Sequence, residues 1–329
     1  MNAITNTEAQ ALQVIEPEQH DRSKYLGGSD IAAVLGISPW KTPIDLWRDK
    51  TTPRVEGPRK QVFTRGIRWE SVVAEMLVER LESEGNKVQI ISSNKRYKDQ
   101  EHTFMASEID FEIILNDDTE ITNVELKTVH PFRMREWGES GSDNLPIHYT
   151  AQVMWGLGVT RRQNGILAAL FGADELRTYP VGADQETITA LRTRGHDFWT
   201  GNVLAGIAPE PINLADLAKI FPKEVDDRPA LLADEQLASK VMRMRAINTE
   251  IKAREAEAEA LEFEIKLAMR DAGELVMPNG KTAINWVNKS GKYLDEATFK
   301  EQDPKGYKAL QKTWEKRVFT LKQFSTEGL

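Results

Sequence analysis

The segment VELKTVH, residues 124–130, places a carboxylate at Glu125 and an ammonium at Lys127. Side chains alternate across a strand, so these two share one face while Val124 and Leu126 take the other. Alone, Glu-x-Lys is a common tripeptide and reads first as a surface ion pair. The residues before it change the question. Residues 108–127 have the pattern of one antiparallel hairpin, with NDDT at 116–119 supplying turn chemistry. If Asp117 and Asp118 form the loop, Asp110 faces Glu125 and Glu108 faces Lys127. Facing Cβ atoms in such a pair lie roughly 4.5–5.5 Å apart. Two carboxylates that close repel one another, and a fold that keeps them shares a proton or holds a cation between them. Oxygen ligands on adjacent strands suit Mg²⁺ or its substitute Mn²⁺, which complete their shells with water and phosphate.

The elements that would position this pair are legible on both sides. Residues 64–84 read as a long helix in which Val73, Ala74, Leu77 and Leu81 continue an apolar stripe from Glu70. Glu70 is therefore placed facing inward, or else at the polar edge of the stripe. Residues 145–158 read as a second helix with Tyr149, Gln152, Val153 and Gly156 on one face, where Gln152 is a core-facing amide. Strands are expected at 87–99, 102–115, 119–130 and 175–181, and NGILAALFG reads as a strand or the start of a buried helix. Two short helices are expected in residues 27–50. Gly36 ends the first, while Thr42, Pro43 and Asp45 start the second. Residues 184–205 read as another helix. Trp40, Trp47, Trp69 and Trp155 sit at mostly apolar helical positions and are assigned to core packing.

A boundary is expected near residues 208–229, dividing the chain into 1–225 and a C-terminal extension at 226–329. The extension begins with a charged helix, 231–271. Its broken apolar stripe comprises Leu237, Val241, Met244, Ile251, Ala258, Leu261 and Ile265. Packing on its own domain is the first reading, and a partner-binding or self-association arm the second. A hairpin turning at Asn279-Gly280, a short basic helix and a final strand, KRVFTLK, complete it. The opening twenty residues look loosely ordered.

At 329 residues the chain can bury a large core. It has no Cys, which excludes disulfides, thiolate metal sites and Cys nucleophiles and fits a reducing, cytoplasmic setting. No signal-peptide pattern and no apolar run of membrane-spanning length is present. The net charge of −8 argues against a generally basic nucleic-acid coat but leaves room for a local basic channel. Candidates to line one are Lys95, Arg96, Lys98, Arg133, Arg135, Arg161 and Arg162, each of which taken singly reads first as a solvated charge.

Four blocks in order resemble the YqaJ-type viral recombinases, the family that includes the exonuclease of phage lambda: RSKYLGGSDIAAVLGISPWKTPIDLW, RGIRWE, MASEID followed by VELKT, and YTAQVMWGLGVTR. The resemblance spans about residues 22–180. It implies an α/β (α+β) fold with a PD-(D/E)XK restriction-endonuclease-like core, a mixed central sheet flanked by helices, here followed by the helix–hairpin extension. It also implies Mg²⁺-dependent 5′-to-3′ degradation of one strand from double-stranded DNA ends, a ring-shaped homotrimer, and delivery of the remaining strand to a single-strand annealing protein. By position, Asp110 and Glu125 match the metal carboxylates, and the Leu126 carbonyl a backbone ligand. Lys127 matches the lysine that orients the attacking water, and Glu70 and Gln152 the further acidic and amide positions of the catalytic site. Arg22 and Ser29 match residues that hold the 5′ phosphate, and Arg133 a further phosphate contact.

One departure stands out. The lambda-like pattern has Ser-Pro where this chain has Glu108-Ile109, which removes a hydroxyl contact. Glu108 is then free to join the metal site or pair with Lys127. Beside a bound cation, Lys127 would be pushed toward a lower pKa. Two rival functions share these residues: a structure-specific DNA endonuclease with the same metal core, and an inactive DNA-binding scaffold. Retention of Asp110, Glu125 and Lys127 together speaks against the scaffold.

Overall fold

A computed structural model of the chain describes residues 13–14, 21–52, 61–224, 230–313 and 318–321. The chain divides into two compact units, Met1–Ile220 and Phe221–Leu329. Apart from Gln13–Val14, the opening twenty residues lie outside the described ones.

The first unit is built on a mixed sheet of order β1-β2-β3-β4-β5-β6. Its strands are β1 (Gln13–Val14), β2 (Val88–Lys98), β3 (Ala106–Leu115), β4 (Thr122–Val129), β5 (Asn164–Phe171) and β6 (Glu175–Gly182). β4 and β5 pair in parallel, and the other neighbours pair antiparallel. A parallel pair needs a crossover, and α4 (Ile147–Thr160) supplies it. One face of the sheet carries α1 (Gly28–Val34), α4 and α5 (Gln185–Phe198), and the other carries α3 (Gln61–Ser83). Between α1 and α3 lies α2 (Pro43–Thr51), on which α6 (Leu214–Ile220) is clamped by a 2.6 Å Lys219–Asp45 ion pair. α5 runs on into a π-helical turn, Trp199–Leu204. This is the mixed sheet between helices expected of a PD-(D/E)XK core. Among the described residues no helix is long and apolar enough to cross a membrane.

The doubtful NGILAALF is a strand, and its burial shows why it lacks alternation. Leu167, Ala169 and Phe171 enter the core on the α4 side, while Ala168 and Leu170 enter the core under α3. A strand covered on both faces carries apolar residues at every position.

Trp155, 2% exposed, anchors the α4 side and donates from Nε1 to the Ala106 carbonyl at 2.9 Å. A Cβ on Gly195 of α5 would meet its ring at 2.8 Å. Gly195→Ala is therefore expected to destabilise the unit by about 1–3 kcal/mol through overpacking, read as a lower denaturant midpoint at unchanged slope. Trp47 and Trp69 are half-buried against the two cores. Trp40 departs from its core assignment. It is 63% exposed, edge-on to His148 with centroids 5.0 Å apart.

In the second unit α7 (Glu235–Met269) is one long helix, followed by β7 (Glu274–Val276), β8 (Thr282–Asn285), α8 (Glu296–Gln302) and α9 (Pro304–Leu310). The β7–β8 turn is not centred on Asn279-Gly280. The Gly280 N–H donates to the Met277 carbonyl, placing Pro278 and Asn279 at the centre and Gly280 after them at φ +80°. Pro is pre-set for the second position of such a turn, and Gly takes the left-handed residue beyond it. The single basic helix is two short ones. Of the expected final strand, residues 318–321 are in no strand, and 316, 317 and 322 lie outside the described residues. Of the α7 residues only Met269 is buried, and of the apolar stripe only Val241 and Ile265 are half-buried, so most of the stripe is exposed.

Candidate active site

The β3–β4 hairpin keeps the expected register. Phe111 faces Val124, Glu112 faces Asn123 and Ile113 faces Thr122. Continuing it sets Asp110 beside Glu125. The loop is longer than two residues, however, and its turn lies one position earlier. The Asp118 N–H donates to the Leu115 carbonyl at 3.0 Å, with Asn116 (φ 57°) and Asp117 (φ 59°) at the centre. Asn and Asp tolerate that left-handed backbone, and the Asn116 side chain is tied down by the Lys87 N–H at 3.0 Å.

Strict alternation fails at the site itself. Ile109 belongs to the core on the α4 side, but Phe111, two residues on, belongs to the core under α3. The pairing of β3 with β4 also ends at Phe111. Asp110 thus sits where β3 changes face, and its Oδ2 accepts the Leu126 N–H at 2.9 Å across the gap.

Around this break six side chains converge. Glu125 is 8% exposed and accepts hydrogen bonds at Oε1 from both Lys127 Nζ and Gln152 Nε2. Glu125 and Asp110 lie close enough that each shifts the other's titration. Burial, then the Asp110 charge, pushes the Glu125 carboxyl up to about 8. Burial raises Asp110 too, against the pull of Lys127. Burial thus moves both carboxyls toward the protonated form. Burial alone would lower Lys127, but Glu125 and then Asp110 outweigh it and raise its pKa. With no cation beside it, Lys127 has two carboxyls as neighbours, and its shift is upward. The Lys127 ammonium lies 5.7 Å from the centroid of the Tyr149 ring on α4. Glu70 on α3 is half-buried and near enough to Asp110 that burial, then the Asp110 charge, raises its pKa.

Among the described residues no three His, Cys, Asp or Glu side chains form a ready cage for a metal. Two adjacent carboxyls beside the Leu126 peptide fit a hard cation that takes its remaining ligands from water and phosphate. A thiolate- or imidazole-loving metal does not fit this donor set.

A second cluster adjoins the first. Arg22 donates to Ser29 Oγ at 2.8 Å and lies 3.6 Å from Asp30. The buried Lys50 ammonium holds the corner by donating to Asp30 Oδ2 at 2.8 Å and to the Arg22 and Tyr25 carbonyls at 2.6 Å. Asp30 also accepts the Gly27 N–H at 3.1 Å, fixing the entry to α1. Sequence reasoning missed Asp30 and Lys50. The first looks like an ordinary acidic residue in a first helical turn, the second like a surface charge in WRDK.

Glu108 neither joins the carboxyl pair nor meets Lys127. It pairs with Arg96 at 2.9 Å, and its charge is also felt by Arg22, Glu70 and Asp110. It stands between the two clusters. Arg133 pairs with Glu136 at 2.7 Å near Tyr149 and shares no partner with Arg22 or Ser29. Several of the candidate channel residues have acidic partners. Arg162 lies in a buried network with Glu112, Asn123 and Tyr97, and Arg161 pairs with Glu101. These arginines balance particular acids, which a charge count does not reveal.

Residues 19–163 match the YqaJ-like viral recombinase domain family. Over 312 residues the chain is 27% identical to the uncharacterized protein YqaJ of Bacillus subtilis, covering 93% of each. Among solved structures it is similar to an alkaline exonuclease, LHK-Exo, from Laribacter hongkongensis. That match has a TM-score of 0.43 and 14% identity, over 56% of this chain and 91% of that one. LHK-Exo in complex with dAMP matches with the same TM-score at 13% identity, over 60% and 94%.

Proposed function

Because residues 19–163 carry a YqaJ-like viral recombinase domain, we propose that this protein is a Mg²⁺-dependent exonuclease. It degrades the 5′-ended strand of double-stranded DNA and leaves a single strand for an annealing partner. The observation that carries this reading is the geometry of the acids: Asp110 accepts the Leu126 N–H beside the buried Glu125, and the Lys127 ammonium lies against Glu125.

Asp110 and Glu125, with the Leu126 carbonyl, would hold the ion, which supplies positive charge against the phosphate and an acidified water. Gln152 fixes the rotamer of Glu125 through Oε1. Lys127 Nζ, kept charged by its two acids, orients the attacking water and meets the charge growing on the phosphate. Tyr149 fixes the ammonium from the far side. Glu70 adds negative charge at the α3 edge, where it favours a cation. Arg22 and Ser29 receive the terminal 5′ phosphate, because a guanidinium fork matches phosphate oxygens and Lys50 holds Arg22 in place through its carbonyl.

The test is a time course on linear duplex with Mg²⁺, comparing 5′-phosphorylated with 5′-hydroxyl ends and with nicked circles. Progressive loss of the 5′-ended strand supports the proposal, and cutting of closed or nicked circles at internal sites would replace it with an endonuclease. Arg22→Ala is expected to lower kcat/KM on 5′-phosphorylated ends by about 10- to 100-fold, the size of a lost hydrogen bond to a charged group. On 5′-hydroxyl ends the change should be slight.

A further inference from the structure

We propose that α7 pairs antiparallel with α7 of a second copy of this chain. Leu237, Met244, Ile251, Ala258 and Ile265 recur at intervals of seven, with Ile247 and Leu261 beside them. This is the seam of a helix that packs on another helix. The face is open: Leu237 is 39% exposed, Met244 40%, Ile251 48% and Leu261 54%. Among the described residues of the helix only Met269 is buried, and of the seam only Ile265 is half-buried.

Charge identifies the occupant and its direction. Residues 235–254 carry five Lys and Arg against two Glu, and residues 255–269 carry five Glu against one Lys. A parallel copy would set each half against its like. An antiparallel copy sets the basic half of each helix on the acidic half of the other, with the same contact made twice, as a two-fold pair requires. Centred between Ile251 and Arg254, that alignment puts Met244 opposite Leu261 and Ile247 opposite Ala258. Within one helix the local pairs Arg243–Glu250 at 3.4 Å, Arg254–Glu257 at 2.7 Å and Lys266–Glu262 are solvent-exposed and weak, so they leave most of the charge of the segregated halves unpaired. Lys240 and Arg254 interrupt the second row of the seam, which weakens the pair while fixing its register.

The chain's lack of Cys makes the test clean. Met244→Cys and Leu261→Cys are introduced separately into the full chain and mildly oxidised, alone and mixed. The mixture should form cross-linked dimer several-fold above a Ser290→Cys control, and each variant alone should not. Charge gives a second arm, read by sedimentation of the full chain. The double variant Lys240→Glu with Arg243→Glu, and the double variant Glu262→Lys with Glu264→Lys, should each lose this association, and their mixture should regain it. Cross-linking of Met244→Cys with itself would mean parallel pairing and overturn the proposal. So would no cross-linking above control, which would leave α7 packed within its own chain or on a different protein.

Discussion

Glu125→Gln is expected to lower DNA cleavage by at least about 10³-fold, yet leave the metal-free protein as stable as the parent or more so. The two halves of this result have one cause. With its carboxyl pushed up to about 8, Glu125 is mostly protonated at neutral pH in the absence of metal. A glutamine reproduces that state. Its amide oxygen still accepts from Lys127 and Gln152. What it cannot become is an anion, so the negative charge that would hold the cation is lost.

The neighbour behaves differently. Lys127→Met is also expected to abolish cleavage, but at a cost in stability, because it strips the ammonium from a buried carboxyl pair. Turnover of end-labelled duplex, with thermal unfolding in EDTA and in Mg²⁺, measures both effects. Mg²⁺ should raise the parent's midpoint and leave that of Glu125→Gln unmoved. Full activity in Glu125→Gln would remove the basis of the proposed mechanism.

How far the sequence foretold this site depends on the range of each interaction. The facing of Asp110 and Glu125 was readable because strand alternation and one loop assumption determine it. Lengthening that loop equally on both sides leaves the pairing unchanged, so the misplaced turn at Asn116-Asp117 did no harm. The change of face at Asp110 was not readable, since Ile109 and Phe111 are both apolar and only their separate cores distinguish them. Glu70 and Gln152 were visible as polar residues on apolar helix faces. Lys50 was not, because its partners Arg22, Tyr25 and Asp30 lie 20 or more positions away and two of the acceptors are backbone carbonyls. The same holds for Glu108, whose partner Arg96 is set by the β2–β3 register and not by proximity in sequence.

Mg²⁺ binding is expected to strengthen about tenfold for each pH unit between pH 6 and about 8 and then level off, with one proton released per ion bound. The Glu125 proton must leave before both carboxyls can face a cation, and burial pushes that carboxyl up to about 8. The same proton governs stability without metal. Below the ordinary value of 4.5, folded and unfolded chains both hold it. Between 4.5 and about 8 the unfolded chain has lost it and the folded chain keeps it, so stability falls as pH rises, by up to about 1.4 kcal/mol per unit. Above about 8 this contribution is gone. Thermal unfolding in EDTA should therefore show a midpoint that declines from pH 5 to pH 9, and saturating Mg²⁺ should flatten or reverse the decline. Calorimetric titration in two buffers of different ionisation heat counts the released proton directly. Glu125→Gln, with no proton to lose at that position, should lose both the pH-dependent decline and the proton release. If the parent's Mg²⁺ affinity proved independent of pH over this range, the cation would be held elsewhere, and the Asp110–Glu125 pair would be structural.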